Sequence, residues 1–66
     1  MFKQFMVKTA CYDCNGKHAD YLFFNTRQEA ETMYNKILQQ FRRGMFPDEP
    51  GFYRAISKDG LYMKER

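Results

Sequence analysis

The chain has 66 residues, a net charge of +3 and a sequence pI near 9.0. That length allows a single domain, 1–66, which buries only about 60% of its unfolded surface and has marginal stability unless something reinforces it. The 44% hydrophobic content and well-mixed charges exclude a disordered chain, and no stretch approaches the ~20 apolar residues of a membrane span.

Met1 to Val7 offers no apolar leader core before Lys8. The expectation is a cytoplasmic chain without a membrane partner, whose two cysteines stay reduced or bind metal rather than form a disulfide. The mild basicity favours an anionic partner, such as nucleic acid or an acidic protein surface.

Phe5 to Tyr12 alternates as a strand, with Phe5, Val7, Thr9 and Cys11 on one side. Asn15-Gly16 is a hairpin signal, because a type I′ turn needs positive φ at both central residues. The strand returns over Ala19 to Phe24. A two-residue Asn15-Gly16 loop sets Cys14 opposite Lys17, Tyr12 opposite Ala19, Ala10 opposite Tyr21 and Lys8 opposite Phe23. One face then carries Phe5, Val7, Leu22 and Phe24, which is a core face. The other carries Lys8, Ala10, Tyr12, Tyr21 and Phe23. A one-residue error in the loop would exchange these faces.

Thr26 to Arg43 is the organising stretch. Ala30, Met33, Tyr34, Ile37, Leu38 and Phe41 recur at i, i+3, i+4, i+7, i+8 and i+11, one face of an α-helix. Thr26 with Glu29 three residues on is a capping-box start. Arg42 and Arg43 suit the negative end of the helix dipole, and Gly44 suits a left-handed stop.

Gly44 to Gly51, with Pro47 and Pro50, reads as a structured loop under which Met45 and Phe46 tuck. Phe52 to Ser57 is a third strand and Leu61 to Lys64 a fourth, joined at Asp59-Gly60. Pairing Ile56 with Met63 and Lys58 with Leu61 places Phe52, Ile56, Leu61 and Met63 on the core face. Tyr53, Ala55, Tyr62, Lys64 and Arg66 then fall on the outer face. A three-residue loop, Lys58-Asp59-Gly60, would change that pairing.

The element order predicts an α+β fold, ββαββ: a four-stranded antiparallel sheet in spatial order 2-1-3-4 with one helix packed on one face.

One helix leaves the other sheet face uncovered. Tyr12, Tyr21, Phe23, Tyr53 and Tyr62 are expected there, with Lys8 and Lys64 nearby. Tyrosine joins an apolar ring to a polar tip, which suits a surface wet when free and covered when bound. The leading expectation is therefore a protein-binding or homodimer surface. The second is nucleic acid stacked on aromatics between basic residues. The third is a partly exposed sheet whose cross-strand aromatic pairs only stabilise it. Arg42 and Arg43, off the apolar stripe, either form a solvated face or steer the protein onto an acidic groove.

Cys11 and Cys14 form a CxxC with His18 beyond, and thiolate and imidazole are ligands zinc prefers. A structural zinc site needs a fourth ligand, which Asp13, Asp20 or a second chain would supply. Two small residues at a strand end, with His18 exposed on the turn, is the plainer reading. A thioredoxin-like redox role is disfavoured, since that motif opens a helix. No phosphate-binding glycine loop or nucleophile elbow is present, so the chain reads as non-enzymatic.

The layout from Phe5 to Lys64, with the helix entry Phe24-Asn25-Thr26-Arg27-Gln28-Glu29-Ala30, resembles that of small phage-encoded host-takeover proteins. Small phage inhibitors of bacterial RNA polymerase and some anti-CRISPR proteins share it. The resemblance assigns no residue a role. It implies a stoichiometric inhibitor that covers a functional surface of a larger host complex.

Overall fold

The computed structural model describes residues 3–66, with Asp13 by its backbone alone. Four strands and one helix follow in the order β1 (Phe5–Asp13), β2 (Gly16–Phe24), α1 (Arg27–Arg42), β3 (Gly51–Ala55) and β4 (Tyr62–Lys64). The sheet is antiparallel with spatial order β2-β1-β3-β4, and α1 packs on one face against β1, β2 and β3.

Both ends of α1 are closed locally. Thr26 Oγ1 accepts from the Glu29 N–H at 3.3 Å and donates to Glu29 Oε1 at 2.9 Å. At the other end Gly44 takes φ 82°, where its N–H donates to the Phe41 carbonyl and the Met45 N–H to that of Gln40. This is a Schellman stop, which satisfies two carbonyls the helix would otherwise leave open.

The helix stripe meets the sheet through Ala30, Tyr34 and Ile37, which join Phe5, Val7 and Phe52 in the core. Phe52 is fully enclosed, edge-on to Tyr34 at 5.8 Å and tilted against Phe5 at 6.0 Å between ring centroids. Leu22, Phe24, Met33, Leu38 and Phe46 pack around this cluster.

Register differs from the sequence expectation in both hairpins, each time by two residues. Phe5 pairs with Phe24, Lys8 with Tyr21, Ala10 with Ala19 and Tyr12 with Lys17. The first turn is Cys14-Asn15, and Gly16, at φ 104°, follows it. Glycine thus relieves the residue after the turn instead of sitting within a type I′ turn. In the second hairpin Arg54 pairs with Met63, and the Ile56 N–H donates to the Leu61 carbonyl across Ser57 to Gly60. Side chains alternate with period two, so a two-residue slip leaves the residues within the paired strands on their expected sides.

Four apolar placements are corrected. Met45, Ile56, Leu61 and Met63 are exposed. A helix about 10–12 Å wide cannot span four strands spaced ~4.8 Å apart, and β4 lies beyond it at the sheet edge. The C-terminal residues close that side instead. Arg27 donates to both Glu65 carboxylate oxygens at 2.8 and 3.1 Å, and Arg66 donates to Glu31 at 3.1 Å. The two guanidinium groups stand 5.4 and 5.5 Å from the centre of the Phe52 ring. Arg66 therefore belongs to the helix side, not the outer face. Its position is fixed by the backbone, where Phe52 and Arg66 exchange hydrogen bonds.

Candidate functional site

The outer face is built by the even positions of β1 and the odd positions of β2 and β3. Met6 stands at its centre, paired with Phe23 on one side and Tyr53 on the other. Met6 and Ala10 are buried without any help from the helix. Phe23 and Tyr62 come from opposite sheet edges, yet their ring centroids are 6.0 Å apart at 58°. In a flat sheet β2 and β4 would stand about 14 Å apart. The contact therefore has the two edge side chains leaning inward across the outer face. The Tyr62 hydroxyl fixes this arch by donating to the Lys3 carbonyl at 2.7 Å.

Beneath and beside the arch lies a groove of about 480 Å³, lined by Met6, Tyr21, Phe23, Tyr53, Gly60, Leu61 and Tyr62. Its apolar rims stay open to water: Phe23 is 47% exposed and Tyr21 49%. Lys8 is the cross-strand neighbour of Tyr21, and Lys64 that of Tyr53.

Thus the structure brings together Lys8, Tyr21, Phe23, Tyr53, Tyr62 and Lys64. Tyr12 lies on the same face but farther out, beside the first turn. Arg42 and Arg43 do not join them, because they end α1 on the opposite side of the sheet. Sequence reasoning missed Leu61, whose place on the groove follows from the longer second loop, and Met6, which lies under the arch.

The second candidate site is on the helix side of the β1–β2 hairpin, at its turn end. Cys11 and His18 are direct cross-strand partners, and Asp20 follows His18 by one strand period. Cys11 Sγ lies 3.2 Å from His18 Nε2 and 3.5 Å from Asp20 Oδ2, and His18 Nε2 lies 3.7 Å from the same oxygen. Cys14 is not a member of this cluster. It occupies the exposed turn, and the observed register makes Asp20 the third member. The Asp13 side chain, the other fourth-ligand candidate, lies outside the described residues. The thiol and the carboxylate converge on one imidazole nitrogen, so Asp20 does not hold the third place of a nucleophile–base–orienter relay, which needs opposite nitrogens.

Electrostatics tie the periphery together. Lys17 bridges to Asp48 at 2.8 Å, which anchors the hairpin end to the loop before β3 and raises the lysine above its ordinary pKa. Hydrogen bonds from Arg27, with its charge and those of Arg54 and Arg66, hold the Glu65 carboxyl below 4.5 against an opposing push from burial.

Among the described residues no helix is long and apolar enough to cross a membrane. Comparison with protein-family models, curated proteins and solved structures finds no match to the chain.

Proposed function

We propose that the chain is a non-enzymatic binding protein that engages a larger protein through its aromatic sheet face. One observation carries this reading: the face opposite the helix exposes Tyr21 and Phe23 around an apolar groove whose floor is already packed. Tyrosine and phenylalanine rings held by an ordered scaffold supply large contact area with little ordering cost, which is the character of interface anchors. A second copy of the chain is the homodimer form of the same proposal. Its narrower form is a stoichiometric inhibitor of a host complex, such as a bacterial RNA polymerase or a CRISPR effector, and it rests on the resemblance in layout.

The test is affinity capture from bacterial lysate with the wild-type chain and with Tyr21→Ala/Phe23→Ala as baits. The double variant is expected to keep its circular dichroism spectrum and to lose its partner by at least ~30-fold in affinity, as for interface anchors. Undiminished capture by the folded double variant refutes the proposal.

The pairing of Lys8 with Tyr21 and of Lys64 with Tyr53 favours one second reading, single-stranded nucleic acid stacked on the same face. It requires oligonucleotide affinity that falls steeply with salt. No binding at low ionic strength removes it.

A further inference from the structure

We infer that Cys11, His18 and Asp20 form a zinc-binding site that clamps β1 to β2 beyond the edge of the helix. The three ligand atoms define a triangle with sides of 3.2, 3.5 and 3.7 Å. Tetrahedral zinc with Zn–S of about 2.3 Å and Zn–N or Zn–O of about 2.0–2.2 Å separates its ligand atoms by roughly 3.4–3.6 Å. The nearest point equidistant from the three atoms lies in their plane at about 2.0 Å from each, and raising the ion out of that plane toward a fourth ligand lengthens all three to about 2.2 Å, zinc-ligand distance. The site therefore needs only tenths of an ångström of adjustment, within reach of side-chain rotation on a fixed ladder.

The donor set is chemically apt. A thiolate, an imidazole nitrogen and a carboxylate oxygen are the three ligand types zinc takes from proteins. Their convergence on one point, rather than along a line, is what a metal requires. Three protein ligands leave a fourth position, and the exposure of His18 and Asp20 places water there.

A second observation adjoins the triad. Thr9 pairs with Asp20 and precedes Cys11 by one strand period, so it shares their face. It is only 9% exposed, and its Oγ1 is buried without a hydrogen-bond partner. A buried hydroxyl left unsatisfied beside three convergent ligands marks a polar site rather than a plain strand end.

The site also answers a structural need. Gly16 to Tyr21 of β2 are exposed throughout, so the distal half of the hairpin has little packing to hold it. A metal binding only the folded chain stabilises it by mass action.

The experiment titrates reduced, metal-free protein with zinc, and with cobalt as a spectroscopic probe. One metal per chain is expected, with a thiolate-to-cobalt charge-transfer band and tetrahedral d–d bands. At a hundred-fold excess over Kd, zinc should raise the melting temperature by about 10–20 °C. Cys11→Ser, His18→Gln and Asp20→Asn should each weaken binding at least ten-fold, whereas Cys14→Ser leaves it unchanged. Absence of stoichiometric uptake by the wild-type chain overturns the proposal. So does loss of binding in Cys14→Ser with retention in Cys11→Ser, or indifference to Asp20→Asn.

Discussion

Phe52→Ala and Phe23→Ala remove the same ring from opposite faces of one sheet. Phe52 is fully enclosed between Phe5, Tyr34 and the Arg27 and Arg66 guanidinium groups. Its truncation combines lost transfer energy with a cavity and is expected to cost about 3–5 kcal/mol. Phe23 is 47% exposed, so only about half of the ~1.5–3 kcal/mol of full burial applies. Losing its ring contact with Tyr62 adds ~0.5–1.5 kcal/mol, for a total of about 2 kcal/mol. A chain of this size has a stability of roughly 3–10 kcal/mol, so the first change removes about twice as much of it as the second. Urea unfolding followed by circular dichroism measures both. Phe52→Leu, a smaller truncation, keeps the comparison measurable where Phe52→Ala does not fold. A Phe23→Ala penalty equal to or above that of Phe52→Ala would contradict this division between an enclosed and an open face. It would mean that the outer face is a second core rather than an open surface.

Thr9→Val in metal-free protein should be stabilising by about 1 kcal/mol, because it replaces a buried, unpartnered hydroxyl with a methyl group of similar shape. A destabilised Thr9→Val, seen as a lower urea midpoint, would show that the hydroxyl has a partner. Stability should also fall with acid through Glu65. Its pKa is depressed in the folded chain, so its contribution is complete above the ordinary value of 4.5 and is lost as pH drops toward the folded value. Glu65→Gln should flatten the stability profile as pH falls below 4.5, and an unchanged slope would show that the Arg27 pair does not contribute.

Much of the fold can be read from the sequence because the relevant signals are local. The Thr26 cap, the apolar stripe and the Gly44 stop specify α1 within a few residues of one another. Hairpin register is a different matter. A slip of two residues leaves every side chain within the paired strands on the same face, so the apolar pattern that protects against a one-residue slip is blind to it. Turn chemistry then decides, and Gly16 and Gly60 act at the end of their turns.

The candidate sites inherit that difference. The aromatic face survives the slip unchanged, so Tyr21, Phe23, Tyr53 and Tyr62 could be named from alternation alone. The thiol cluster does not, since the spacing of a CxxC drew attention to Cys14. The period-two relation of His18 to Asp20 is what brings Asp20, already a candidate ligand in the sequence, into the cluster. The Arg27–Glu65 and Arg66–Glu31 pairs join residues more than thirty positions apart. No local pattern encodes them. They follow from the way the C-terminal residues cross Phe52.

Hydroxyl-radical footprinting of the chain with and without its captured partner tests the binding face most directly, because it reads individual side chains rather than backbone. Tyr12, Tyr21 and Phe23 are expected to become protected in the complex while Met45, on the loop after α1, keeps its reactivity. Protection of Met45 with Tyr21 and Phe23 unchanged would contradict that expectation and move the interface to the other side of the sheet.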